Sequence, residues 1–424
     1  MIIIFTRKQI ADGAFFSKIT DKRFKTNQIS VFIMSEFDSA PRADYAVAAY
    51  ILSDCCKKFA NYRTLSKQLS NLYDASLSSN TSFVRVCDQR LTYIGGVILD
   101  DRYALEGEKL ETEYCELLRE CLLRPNAENG EFDETVTSLM RGELIDTIDS
   151  VINEKSSYAA QNAARTAFVG EPGADPAYGT HEEAEKVTAK SAYAAYRKIL
   201  ETGHFEIVAA GYSEFEDAER IFTEMMSEIE RHDICELTCE PSPLKAEPAY
   251  ASDKLPMQQA ILRMYFKAPG LTDYYANKLF SMILGGMTTS RFFMNIREKQ
   301  SLCYYCACVS NKFKRTLTAY AGIEPQNIER AQKAIAAEIE SICENGITDE
   351  ELKAALLEIE NQVASMRDTT AVAGWYLDQI RDEKILSPEE YLAEIKKVTP
   401  ERIKAVARLY KLDTVYTLSG EDMQ

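Results

Sequence analysis

Chemistry has few places to start in this chain. It holds three histidines, His181, His204 and His232, and neither HExxH nor the inverted HxxEH occurs, although zinc hydrolases need at least two such ligands close together. His181 sits in Gly179-Thr180-His181-Glu182-Glu183, His204 opens a predicted strand, and His232 is expected to end a charged helix beside Arg231. All three read as surface or boundary residues. Of the eleven cysteines, Cys303, Cys306 and Cys308 lie in one apolar strand-like run, Leu302 to Val309. Strict alternation turns Cys306 and Cys308 to one face and Cys303 to the other, which is poor geometry for zinc. Cys235 and Cys239 would add two thiolates only if the segments meet in space. A thiol nucleophile needs an activating base, and Cys55-Cys56-Lys57-Lys58 is the only basic cluster that flanks a cysteine. Neither GxxxxGK[ST] nor GxGxxG is present, so nucleotide chemistry has no support.

The sharpest constellation is Ile296-Arg297-Glu298-Lys299-Gln300-Ser301-Leu302-Cys303-Tyr304-Tyr305. A helix with a charged end turns directly into a strand bearing two tyrosines, so Arg297 and one tyrosine can converge. Guanidinium and phenol are donors suited to a carbonyl or a developing oxyanion. Taken alone, these residues fit a surface arginine beside core tyrosines better.

The elements that position them follow from composition and pattern. With 424 residues, 46% hydrophobic and 27% charged, the chain is globular and too long for one core, which stops growing at about 250–300 residues. A net charge of −17 argues against generic affinity for nucleic acid or anionic membranes, and no uncharged apolar run approaches the ~18 residues of a membrane helix. Met1 to Phe5 is too short for the apolar part of a secretion signal, and with unpaired cysteines the expectation is a reduced, cytoplasmic protein. Prolines cluster from Cys239 to Pro256, which reads as a linker.

The sequence on either side of that linker is self-similar. A strand at Gln28–Met34 and a helix through Ala48–Leu52 answer a strand at Gln259–Phe266 and a helix through Leu279–Leu284. Short amphipathic helices at Ser66–Tyr73 and Ser290–Arg297 lead into strand clusters over 83–99 and 302–323, where Leu91–Gly95 answers Leu317–Gly322. Long helix pairs follow, and then Thr188 and Thr399 each cap a helix that runs into a strand. The offset between matched positions shrinks from 232 (Ile51 to Ile283) to 211 (Thr188 to Thr399), as loop deletions in a duplicate would cause. The expected fold is α+β: two duplicated αβ halves, antiparallel sheets covered by helices, with domains at 1–235 and 257–424 and a Pro-rich linker at 236–256.

In order, these pieces resemble the pitrilysin family of zinc peptidases, which includes insulinase and the mitochondrial processing peptidases. Arg297-Glu298-x-x-Ser301-Leu302-x-Tyr304 is similar to the R-E-x-x-G-L-x-Y motif of the family's C-terminal half, with Ser301 in place of Gly. Leu284-Gly285-Gly286 to Ser290-Arg291, and Phe168 to Gly173 with Tyr178-Gly179-Thr180, resemble flanking segments. The likeness spans the chain, is greatest to short bacterial members, and implies a clamshell of two halves. Where active members carry HxxEH on the helix after the first strand, with a distant Glu completing the zinc site, this chain has Ala46, Ala49 and Tyr50. Alanine offers a metal no lone pair, so the resemblance implies no cofactor in this chain and no hydrolytic nucleophile. In active members the residues equivalent to Arg297 and Tyr304 bind substrate backbone. The expectation is therefore a non-catalytic subunit that donates Arg297 and Tyr304 in trans to a peptide held at the zinc of an HxxEH-bearing partner, as a heterodimer, or a homodimer when alone. Neither nucleic acid nor membrane insertion is expected. The alternatives are a peptide-binding or scaffold protein with no role in proteolysis, and an independent enzyme with cysteine-bound metal.

Overall fold

Nearly unbroken apolar runs around 205–211 and 260–267 call for strands buried on both faces, and each lies inside a sheet. The computed structural model of the chain describes residues 4–83, 87–366 and 372–420; residues 84–86 of the strand cluster expected over 83–99 lie outside these. The strands are β1 (Ile4–Ala11), β2 (Ala14–Thr20), β3 (Thr26–Ser35), β4 (Ser78–Phe83), β5 (Arg90–Leu99), the small hairpin β6 (Ala127–Glu128) and β7 (Glu131–Phe132), β8 (His204–Gly211), β9 (Ala249–Lys254), β10 (Ala260–Lys267), β11 (Cys303–Asn311), β12 (Thr316–Ile323) and β13 (Lys411–Ser419). The helices are α1 (Arg42–Asp54), α2 (Tyr62–Asn71), α3 (Leu110–Leu123), α4 (Glu134–Ser150), α5 (Lys155–Ala167), α6 (His181–Glu185), α7 (Ala189–Thr202), α8 (Glu216–Ser227), α9 (Tyr274–Ser281), α10 (Ile328–Asn345), α11 (Asp349–Met366), α12 (Val372–Leu377), α13 (Pro388–Ile395) and α14 (Pro400–Ala407). The Thr188 and Thr399 caps are present, their hydroxyls accepting from Ser191 N and Arg402 N. No helix among the described residues is long and apolar enough to cross a membrane.

The first sheet runs β1-β2-β8-β3-β5-β4 and the second β11-β12-β10-β13-β9. Five strands of the first, β2-β8-β3-β5-β4, correspond in order and direction to β9-β13-β10-β12-β11 of the second, which is consistent with a duplicated half. The fold is α+β with mainly antiparallel sheets, as expected. Each sheet holds one parallel pair, β2 with β8 and β9 with β13. The Pro-rich stretch expected to join the halves itself contributes β9, whose polar alternation disguised it.

Two compact units emerge, and neither is continuous in sequence. One comprises Met1–Ser150, Pro176–Thr238 and Ser365–Ser387, the other Val151–Asp175, Cys239–Ala364 and Pro388–Gln424. Sheet chemistry explains the exchange. In the first unit one face of the sheet packs Ile29, Val31, Ile33, Phe205 and Ile207 on α1, α3, α7 and α8. Its other face presents Ile19, Val208 and Ala210, which are covered by Val372, Ala373 and Tyr376 of α12. In the second unit Leu262, Met264 and Phe266 face α9, α10, α11 and α14. On the opposite face Ile261, Tyr265, Tyr416 and Leu418 are covered by Ala159, Ala163 and Ala167, a stripe of small residues along α5.

A buried ionic knot holds α5 and the Pro-rich stretch onto the second sheet. Lys267, 1% exposed, donates to Ala167 O (2.7 Å) and Pro243 O (2.9 Å). Lys245 donates to the same Ala167 carbonyl (3.0 Å) and to fully buried Asp413 (2.8 Å), which also lies 3.4 Å from Lys267. Two ammonium groups thus meet the carbonyl end of α5, where the helix dipole favours cations. Burial opposes ionisation of Asp413, yet its hydrogen bonds from Lys245 and the charge of Lys267 outweigh that and hold the carboxyl below its ordinary value.

The edge of the second sheet is built from a π-type helical segment, Phe292–Lys299, that turns into β11. Ser301 makes the turn at φ 50°, in the left-handed region, while Ser301 N and Leu302 N donate to Arg297 O and Ile296 O (both 3.1 Å). A side chain at Gly285 would stand 2.7 Å from Cys308 N, so glycine lets the preceding helical turn lie on β11. Cys303 pairs with Ile323 but Tyr305 with Gly322, so Tyr304 is an extra residue, a β-bulge. This overturns the alternation expected for the cysteines. Cys303, Cys306 and Cys308 pair with Ile323, Ala321 and Ala319 and share one face.

Two stability changes follow. Asp413→Asn removes the carboxylate nearest buried Lys267 and leaves only the more weakly acting Glu171, and it should cost about 3 kcal/mol in denaturant unfolding. Because the Asp413 carboxyl is depressed in the fold, its contribution is complete above the unfolded aspartate value and is lost as pH falls through the folded one, so the gap between wild type and Asp413→Asn should close in acid. Ser301→Gly should be neutral to stabilising by up to about 1 kcal/mol, whereas Ser301→Val should cost about 1–3 kcal/mol, since a β-branched side chain resists the left-handed region.

Candidate functional site

Two places answer the residues singled out by sequence. The first is α1, whose run Tyr45-Ala46-Val47-Ala48-Ala49 is apolar on every side, as expected of a helix enclosed by others. It packs among α4, α7 and β4, and Ser79 Oγ of β4 donates to Ala49 O. Ala46 and Ala49 are fully buried, and their methyl groups offer no lone pair. Tyr50 is half-buried, and its hydroxyl lies beside Thr147 and Glu143 of α4. Burial first, and Glu143 second, raise its phenol above the ordinary value. A neutral phenol facing a threonine is a poor metal ligand set. Among the described residues no three His, Cys, Asp or Glu side chains gather in a way that could hold a metal ion.

The histidines are engaged locally. Exposed His181 meets Asp149 (Nδ1 to Oδ1, 2.7 Å), which raises its pKa. His204 meets buried Glu206 (2.9 Å), itself ion-paired with Arg7. His232 does not end a helix as expected, because α8 stops at Ser227. It lies in the loop beyond, its backbone N–H donating to Glu201 O.

The second place is the start of β11, an edge strand. The side chain of Arg297 is 40% exposed, its guanidinium 4.6 Å above the Phe293 ring and 3.6 Å from Glu298. Tyr304 is 51% exposed, swung out by the bulge, and its hydroxyl donates to Glu324, the residue that follows β12 (3.4 Å). The structure thus puts both residues on one turn-and-strand unit, each with an acceptor of its own. Glu324 was missed because its nearness follows from strand register, which leaves no local signal. Cys303 is also close to Arg297: a hydrogen bond from Cys306, with Arg297 adding, lowers its thiol pKa, while Cys306 is pushed well up. In the motif-like stretch before it, Arg291 is structural, gripping Glu351 through Nε (2.6 Å) and Nη2 (3.0 Å) at the Thr348 capping box of α11.

The chain is similar to several known proteins. Residues 186–358 match the family model described as "Peptidase M16 inactive domain". The chain is 23% identical over 409 residues, 95% of both chains, to "Probable inactive metalloprotease YmfF" of Bacillus subtilis. It is 24% identical over 286 residues, 63% of this chain and 61% of the relative, to an uncharacterized zinc protease of Streptomyces coelicolor. Among solved structures, a conserved protein from Enterococcus faecalis V583 superposes with a TM-score of 0.88 at 23% identity, covering 99% of both chains. The peptidase M16 inactive domain from Pseudomonas fluorescens superposes at 0.82 with 14% identity and the same coverage. Residues 186–358 thus resemble an M16 inactive domain, the chain is similar along its length to a probable inactive metalloprotease, its fold is M16-like, and its sequence holds no HxxEH.

Proposed function

We propose that this chain is the non-catalytic subunit of a heterodimeric zinc peptidase, with Arg297 and Tyr304 offered to a peptide held at the zinc of an HxxEH-bearing homologue. One contrast carries the reading: the zinc-motif positions Ala46 and Ala49 are sealed into a core, whereas Arg297 and Tyr304 stand exposed at a bulged strand edge. A bulge on an edge strand re-aims a side chain at the cost of a ladder position, a feature common beside functional sites. In this reading the guanidinium and the phenol hydrogen-bond substrate carbonyls, zinc resides in the partner only, and the chain's acidity favours basic peptides. In this reading the duplicated halves of the sequence are 1–235 and 257–424, which exchange segments to form the compact units, with a homodimer as the resting state and the cytoplasm as the compartment.

A second reading, a peptide-binding or scaffold protein outside proteolysis, is favoured by the fact that both donors already have internal acceptors, Glu298 and Glu324. Peptide cleavage by the chain alone and mixed with an HxxEH homologue separates the two. The first reading expects turnover only in the mixture, with zinc in the partner. It also expects Arg297→Ala or Tyr304→Phe to lower kcat/KM of the mixture by tenfold or more, on the scale of a lost transition-state donor. Unchanged kcat/KM in both variants would remove that role and leave the second reading.

A further inference from the structure

Beneath α1 the first sheet carries a set of buried polar groups that the protein leaves unsatisfied. Arg90, at the start of β5, has no exposed surface, and none of its Nε, Nη1 and Nη2 atoms has a hydrogen-bond partner among the described residues. The same is true of Ser35 Oγ, Thr81 Oγ1 and Thr92 Oγ1. Strand register puts all four side chains on one face: Arg90 is paired with Ser35 across β3, and Thr92 with Thr81 across β4. That face is the one against α1, since Ile33, which pairs with Thr92, belongs to the helix-side core and the Arg90 guanidinium lies 3.5 Å from the Tyr45 ring centre. The contact of Ser79 with Ala49 and that of Arg90 with Tyr45 bracket the α1 stretch bearing Ala46, whose methyl supplies no acceptor.

Buried donors in native proteins are almost always satisfied, and a buried ion without a counter-charge is far costlier than an unpaired hydroxyl. The charge of Asp38 acts on Arg90, but that carboxylate is shared, accepting from the Tyr45 hydroxyl (2.8 Å) and ion-paired with Lys198. Water would satisfy the hydrogen bonds but leave the charge only partly compensated. The Arg90 guanidinium carbon lies over the rings of Tyr45 and Phe37, 3.5 and 4.6 Å from their centres, while its N–H groups have no hydrogen-bond partner among the described residues. An in-plane N–H fork matches a planar carboxylate, and a single guanidinium matches a monoanion. We propose that the sheet face beneath α1 binds a small carboxylate, held by Arg90 and by the hydroxyls of Ser35, Thr81 and Thr92. Burial depresses the Arg90 guanidinium below its ordinary value, and the influences of Tyr45 and Asp38, which act the other way, do not offset it.

The test is thermal unfolding of the full chain in sodium acetate against sodium chloride at equal ionic strength, for wild type, Arg90→Met and the isosteric Thr92→Val. A bound anion adds stability only to the folded state, so acetate should raise the wild-type Tm by a few degrees over chloride. That increment should vanish in Arg90→Met and shrink in Thr92→Val. If Arg90→Met fails to fold, Thr92→Val and Thr81→Val carry the comparison. The sign of the Thr92→Val effect is a second readout: a bonded hydroxyl makes the valine variant less stable in acetate, whereas an unbonded one makes it as stable or more so. No acetate increment in wild type, an increment that persists in the variants, or a Thr92→Val chain at least as stable as wild type would overturn the proposal.

Discussion

The constraint on which the fold depends is that both sheets are apolar on two faces. β8 and β10 bury residues on both sides, so the helices on one side of each sheet cannot complete its core. The remaining faces are closed by α12 in the first unit and α5 in the second, each drawn from the sequence of the opposite half. Apolar burial at roughly 25 cal/mol per Å² makes an uncovered sheet face expensive, and this is why the compact units do not follow the order of the chain. The Lys245, Lys267 and Asp413 knot secures one of these closures at the carbonyl end of α5.

The same demand for burial shapes α1, a core helix in the full sense, in which Ala46 and Ala49 are fully buried and Tyr50 is half-buried. Small side chains let the helix lie close to β4 and to its neighbouring helices. Among the polar groups of the sheet beneath, Arg90, Ser35, Thr81 and Thr92 depart from ordinary hydrogen-bond satisfaction. The second unit kept the opposite character at β11, where a left-handed serine and a bulge hold Arg297 and Tyr304 outward.

By itself the sequence determined the fold class, the repeated order of elements, the helix caps at Thr188 and Thr399, the family likeness and the loss of the zinc motif. All of these rest on local periodicity, on cap chemistry or on residue identity at fixed spacing. Tertiary structure alone decided the parallel pairs β2–β8 and β9–β13, the exchange of α5 and α12, the common face of Cys303, Cys306 and Cys308, and the pairing of Tyr304 with Glu324. The physical reason is the same in each case. Parallel partners come from distant strands, a helix reveals its apolar stripe but not the sheet it will cover, and one extra residue in a strand reverses every side chain after it without leaving a mark in composition.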